Sequence, residues 1–273
     1  MSNYLSTDKK KITATRFQAM KGQHEKIAML TAYDYTIAKL LDEAGVDSIL
    51  IGDSASNVMI GNNTTLPITL DQMIYHARCV ANGAKRAFLV ADMPFGTAHG
   101  DPKVALASAI RMMKESGVDA VKIEGGSVIA DSLKIILDAG IPIVAHLGLT
   151  PQSINKLGGY GVQAKEEAEA EKLLSEAKLV EELGCCGLVL EKIPSNLAKR
   201  VTESISIPTI GIGAGNETDG QVLVSTDMLG MTMGFKPKYL RHFAQVGATI
   251  QNAVADYCNA VKAGTFPNDS ESY

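Results

Sequence analysis

Eight short apolar runs, most of them separated by a longer amphipathic stretch, set the strongest limit on what this chain can become. The runs are IAMLT (Ile27–Thr31), SILIG (Ser48–Gly52), FLVA (Phe88–Ala91), AVKI (Ala120–Ile123), IPIVA (Ile141–Ala145), GLVL (Gly187–Leu190), IPTIGI (Ile207–Ile212) and QVLV (Gln221–Val224). Helix periodicity fills most intervals, over Tyr35–Ala44, Leu70–Gly83, Lys103–Ser116, Val128–Ala139, Ala164–Leu183 and Ser195–Ser204. The connection after the seventh run is short, so a helix there is not expected, and a last helix is expected over Lys238–Val261. Glycine stands where a helix must stop before the next strand in AGVD, SGVD, AGIP and LGCCG. Strand–helix alternation implies a parallel sheet, and eight strands imply closure. The expected fold class is therefore α/β, a single (βα)8 TIM barrel, with a doubly wound open sheet as the alternative. Its 273 residues lie near the ~250 usual for such a barrel. One domain is expected over 1–273, with a short N-terminal lead and a flexible C-terminal tail from about residue 264.

Composition narrows the partners. A net charge of −4, with no basic block, argues against nucleic acid. No apolar run approaches the ~20 residues needed to span a membrane. The start, MSNYLSTDKKK, has basic residues without an apolar segment behind them, so no secretory signal is expected. Cys79, Cys185, Cys186 and Cys258 show no metal-binding spacing and are read as free thiols of a reducing compartment, the cytoplasm.

Barrel chemistry sits at the carboxyl ends of the strands, and that is where the acids fall. The second run leads into Asp53 and Ser54, the third into Asp92, the fourth carries Lys122 and Glu124, the fifth ends at His146 and the sixth at Glu191. Period-two counting puts Ile51 with Asp53, Val90 with Asp92, Lys122 with Glu124 and Val189 with Glu191 on shared faces. A single strand-end acid often caps the next helix. Four acids and a lysine at the ends of the second, third, fourth and sixth runs instead point to a shared polar site. Converging carboxylates repel, so a hard divalent cation such as Mg²⁺ is expected among them. Spacing alone leaves open which acid ligates and which acts as a base.

Longer words run through nearly the whole chain: MLTAYDY, GDS, TLPIT, ADMPF, VKIEGG, HLGLTPQSIN, GGYGVQ, LEKIP and IGIGAGNETDGQVLV. In these words the chain closely resembles the ketopantoate hydroxymethyltransferase family. The resemblance implies a (βα)8 barrel, assembled as a homodecamer, that uses Mg²⁺. It implies transfer of a one-carbon unit from 5,10-methylenetetrahydrofolate to 3-methyl-2-oxobutanoate, giving 2-dehydropantoate for pantothenate synthesis. It also implies Asp53, Asp92 and Glu124 as magnesium-site acids, and Asp53, Ser54, Asp92 and Lys122 as substrate contacts, with Lys122 on the carboxylate. Glu191 would be the proton acceptor. Where relatives commonly read LGMVVLGYDTTLP after GDS, this chain reads ASNVMIGNNTTLP, which changes the loop over the substrate at Ser56, Asn57, Asn62 and Asn63.

Other features take plainer readings. The turn Gly211–Gly215 is read as a tight strand-end turn before a phosphate cradle, His146 as a polar neighbour of the site, and Tyr33 as architectural. Three rival functions remain distinct: a Schiff-base aldolase using Lys122, a metal-dependent lyase acting on carbon–carbon or carbon–phosphorus bonds, and a metabolite-binding or scaffolding oligomer without turnover.

Overall fold

The computed structural model describes residues 10–232, 234 and 236–273; the N-terminal lead expected from the sequence lies outside them up to residue 9. The described residues fall into two compact units, one ending at Leu223 and one from Val224 to Tyr273.

In the first unit the strands are β1 (Ile27–Thr31), β2 (Ser48–Ile51), β3 (Phe88–Asp92), β4 (Ala120–Glu124), β5 (Ile143–Gly148), β6 (Gly187–Glu191), β7 (Thr209–Ile212) and β8 (Gly220–Leu223). They pair in sequence order, all parallel, and β8 returns to β1 to close the barrel. The helices are α1 (Ala14–Gly22), α2 (Tyr35–Glu43), α3 (Ala55–Val58), α4 (Leu70–Gly83), α5 (Pro102–Ser116), α6 (Ala130–Asp138), α7 (Ile154–Leu157), α8 (Glu167–Leu183) and α9 (Ser195–Ser204). No helix follows β7 before β8.

Prolines correct two strand starts. The runs beginning at Ile141 and Ile207 enter the sheet only after Pro142 and Pro208, because proline cannot donate to a ladder. Likewise α8 begins at Glu167 and not at Ala164, whose positive φ of 53° is incompatible with a helical turn.

Period two sorts the strands' side chains into two cores. Ile49, Ile51, Leu89, Ala91, Val121, Ile123 and Ala145 point outward and pack with Ala77, Val80, Leu133 and Ala177 of the surrounding helices. Met29, Leu50, Val90, Ala120, Val144, Val189, Ile210 and Val222 point into the lumen. Helix α1, which the sequence patterning did not reveal, adds Phe17 and Met20 to this inner core. Phe17 stacks on Phe88, at the start of β3, with ring centroids 4.9 Å apart, so α1 seals the amino end of the lumen. The opposite end is left for polar residues.

The second unit holds α10 (Ser225–Met228) and α11 (Val246–Lys262). The helix expected from Lys238 starts at Val246 because the preceding chain folds back: Phe243 N–H donates to the Met228 carbonyl at 2.8 Å, and Val246 N–H to that of Leu229 at 2.9 Å. Beyond residue 264, Asn268 caps a short 3₁₀ turn over Asp269–Glu271, giving the tail more local order than its composition suggests. Among the described residues no helix is long and apolar enough to cross a membrane.

Candidate active site

The register of the sheet brings the expected residues together. Asp92 on β3 pairs with Lys122 on β4, and Glu124 on β4 pairs with His146 on β5. Lys122 continues the inward row of Ala120, Asp92 that of Val90, and Glu191 that of Val189. Each of these three lumen rows thus changes from apolar to charged at its carboxyl end. Asp53 needs a correction. Ile51 faces outward among the helices, so the two do not share a face; β2 ends at Ile51, and the turn that follows carries Asp53 to the same mouth.

The contacts are tight and almost free of solvent. Lys122 Nζ lies 2.9 Å from Asp92 Oδ1 and 3.0 Å from His146 Nδ1. The Asp53 backbone N–H donates to Asp92 Oδ2 at 2.9 Å. His146 Nδ1 is 3.4 Å from Glu124 Oε1, and its Nε2 is 3.4 Å from Glu191 Oε2. Asp53, Asp92, Lys122, Glu124 and His146 are each no more than 4% exposed, whereas the Glu191 side chain keeps 15% of its surface open. Ser54 meets the Tyr33 hydroxyl at 2.8 Å, which ties Tyr33 to the turn carrying Asp53.

The electrostatics follow from burying these groups together. Burial, then the charges of Asp92 and Glu124, raise the Asp53 carboxyl well above its ordinary pKa; Lys122 and Gln152 oppose the rise. Burial pulls Lys122 down, but Asp92, Glu124 and Asp53 outweigh it and hold the ammonium above the ordinary lysine value. Glu124 would rise through burial, yet His146, Lys122 and the Gln152 N–H bring it below its ordinary value. Burial and then Lys122 depress His146, and its contacts with Glu124 and Glu191 more than compensate, leaving it raised. A lysine kept charged in this way is a poor Schiff-base nucleophile.

Two residues that sequence reasoning left aside belong here. Gln152, in the turn after β5, reaches both Asp53 and Glu124; a glutamine in a loop carries no charge signal, and only its place in HLGLTPQ marked it. Gly148 adopts φ 92°, and an added Cβ would collide with the Glu191 carbonyl and with Ile193 Cγ2 at 2.8 Å, so this position keeps β5 and β6 close beside Glu191. The departures from the usual family wording also interlock: Ser56 Oγ donates to the Thr64 carbonyl, Asn62 Nδ2 to Ser56 Oγ, and Asn57 Nδ2 to the Asn62 carbonyl. The loop is therefore rebuilt around its own hydrogen bonds, leaving the acids untouched.

A hard divalent ion suits this donor set. Glu124 Oε1 is buried with only the long His146 contact, and the surrounding carboxylates outnumber the one lysine. Among the described residues, however, no three His, Cys, Asp or Glu side chains form a ready-made metal cage.

A closed parallel barrel, sealed at its amino end and opening at the other onto buried acids around one lysine, defines a (βα)8-barrel enzyme. Residues 11–269 match the family model for ketopantoate hydroxymethyltransferase. The chain is 58% identical to the 3-methyl-2-oxobutanoate hydroxymethyltransferase of Bacteroides fragilis over 100% of both chains, and 60% identical to that of Porphyromonas gingivalis over the same share. The chain belongs to the ketopantoate hydroxymethyltransferase family. Solved structures of 2,3-dimethylmalate lyase (15% identity, TM-score 0.58, covering 95% of this chain and 91% of that one) and phosphonopyruvate hydrolase (12%, 0.61, 96% and 93%) share the barrel at the level of fold alone.

Proposed function

We propose that this chain is a 3-methyl-2-oxobutanoate hydroxymethyltransferase that takes its one-carbon unit from 5,10-methylenetetrahydrofolate, with Mg²⁺ at the barrel mouth, and makes 2-dehydropantoate for pantothenate synthesis. The observation that carries this reading is the facing of Glu191 toward the Asp92–Lys122 and Glu124–His146 pairs within one mouth, in a chain whose family membership spans its length. Mg²⁺ is held by one or two carboxylates plus substrate and water oxygens, so Asp53, Asp92 and Glu124 suffice without a complete protein cage. When bound, the ion would stabilise negative charge on the keto oxygen.

The chain's own residues do the rest. Lys122, held cationic, accepts the substrate carboxylate, and Asp53, Ser54 and Asp92 frame the keto acid. In a neutral His146 ring, Nδ1 accepts from Lys122, which leaves the ring proton on Nε2, directed at Glu191. Glu191 as a carboxylate is the form that can take the proton from C3. The C–H electron pair becomes the enolate, whose carbon displaces one folate nitrogen from the folate-borne methylene, while a water oxygen displaces the other. The two freed nitrogens take up the proton held by Glu191 and one proton of that water, and tetrahydrofolate leaves. A positioned base of this kind contributes ~10²–10⁴ in rate.

Exchange of the C3 proton in heavy water, followed by NMR without folate, tests the reading. Exchange should need Mg²⁺ and fall at least a hundredfold in Glu191→Gln; exchange at the wild-type rate in that variant refutes Glu191 as the base. The Schiff-base alternative predicts borohydride labelling of Lys122 and indifference to EDTA. The enzyme is further proposed to act in the cytoplasm as a homo-oligomer, a decamer. Ile250, Val254, Tyr257 and Val261 support self-association, since they line one face of α11 and none is buried. Sedimentation of the pure chain at the monomer mass would exclude it.

A further inference from the structure

We infer that Gln152 is a positioning residue that sets the spacing of the metal-site acids by tethering Asp53 and Glu124 at once. The inference rests on the metal reading above. Gln152 lies in the one-turn 3₁₀ segment Pro151–Ser153, directly after β5, and is 5% exposed. Its Nε2 donates to Asp53 Oδ2 at 2.9 Å and to the Met93 carbonyl at 3.0 Å. Both partners are acceptors, so the facing atom must be the amide nitrogen, and both of its hydrogens are used. The backbone N–H of the same residue donates to Glu124 Oε2 at 2.9 Å.

One residue therefore fixes one oxygen on each of two acids that stand on different strands. Glu124 Oε1 is left facing only His146 Nδ1, at 3.4 Å. Gln152 Oε1 is buried without a partner, an acceptor available to a water that enters with the ion. Partners that orient ligating carboxylates typically change metal affinity by ~10–100-fold when removed. Replacing the side chain leaves the main-chain bond to Glu124 in place, so the effect should arise at Asp53.

The test uses Mn²⁺ as a paramagnetic stand-in for Mg²⁺, with free Mn²⁺ counted by electron paramagnetic resonance on the full-length protein. Gln152→Met keeps the volume and removes both donors; it should weaken Mn²⁺ binding at least tenfold relative to wild type. The same substitution placed on Asp53→Asn should add less than twofold, since the tether would then have no carboxylate to hold. Mn²⁺ affinity within twofold of wild type in Gln152→Met overturns the inference while leaving the metal reading intact. Wild-type protein that binds no Mn²⁺ overturns both. Should Gln152→Met fail to fold, Gln152→Asn, whose amide is one methylene too short to reach, is judged by the same tenfold and twofold limits.

Discussion

Replacing Lys122 by methionine isolates the charge it supplies from the space it fills. The stem is buried at 4% exposure, and methionine has a similar length, so the packing penalty is small. What is lost is the cation that faces Asp92 at 2.9 Å and offsets Glu124 and Asp53 as well. Removing one partner of a buried ion pair costs about 3–5 kcal/mol, because the charges left behind stay desolvated. A domain of this size shifts its melting temperature by roughly 2–4 °C per kcal/mol. The variant should therefore melt roughly 6–20 °C below wild type at about pH 8, in EDTA and at matched protein concentration.

The pH dependence gives a second, independent check. Asp53 already has a folded-state pKa above its unfolded one, through burial and then Asp92 and Glu124, and Lys122 is among the groups that restrain the rise. Losing Lys122 lifts it further. A carboxyl raised in the folded state binds protons more tightly there than when unfolded, so stability falls as pH climbs through the interval between the two values and recovers as pH is lowered. The melting deficit of Lys122→Met should accordingly shrink between about pH 8 and about pH 5. Differential scanning fluorimetry across that range decides the matter. Equal melting temperatures at the higher pH, or a deficit that stays constant or widens in acid, would refute the view that Lys122 restrains a crowded acid cluster.

Two further outcomes are expected. Gly148→Ala places a methyl group against the Glu191 carbonyl and Ile193 at a backbone angle that favours glycine, so it should displace the strand end bearing Glu191. A shift of about 1 Å costs roughly 10²-fold, so C3 proton exchange should drop by about that factor in a protein that remains folded by circular dichroism; wild-type exchange would show that Glu191 tolerates the movement. Burial pushes Cys185 up to about 12, aided by Cys186, and pushes Cys186 up to about 12 as well. Both should resist iodoacetamide in the native protein near neutral pH and react once the chain is unfolded in denaturant, as mass spectrometry would report; labelling of Cys185 or Cys186 in the native protein as fast as in the unfolded chain contradicts their burial.

The barrel was readable because closure imposes a double constraint that sequence can carry: short apolar runs for the strands, and amphipathic intervals for the helices around them. Lys122 and Glu124 were assigned to one face by the same alternation that turns Val121 and Ile123 toward the helices. Alternation failed at Asp53, where the strand has already ended and a turn, not the pleat, aims the side chain. It was silent about α1, whose contribution to the lumen is two side chains, Phe17 and Met20, set in an otherwise polar segment. Gln152 was invisible for another reason. Its role depends on the convergence of two acids from distant strands, and nothing in a neutral loop residue announces that.

The imbalance of charge at the mouth separates a site from a structural ion pair. A structural pair lowers its desolvation cost by matching one charge with another, as Lys21 and Asp219 do 3.1 Å apart near the barrel's amino end. Here Asp53, Asp92, Glu124 and Glu191 gather at one mouth with Lys122, and the histidine among them becomes charged only by taking up a proton. Folding alone gains nothing from that surplus, and the raised Asp53 pKa records its cost. The neighbouring lumen rows show that Val, Ile and Ala fill the barrel readily, so the acids are not there for want of an apolar solution. A surplus of negative charge, sealed from below by α1 and tethered by Gln152, is stable only in company. Either a proton stays on the cluster or a cation enters it, and an arrangement that holds both choices open is suited to a reaction in which a metal and a proton must be handled side by side.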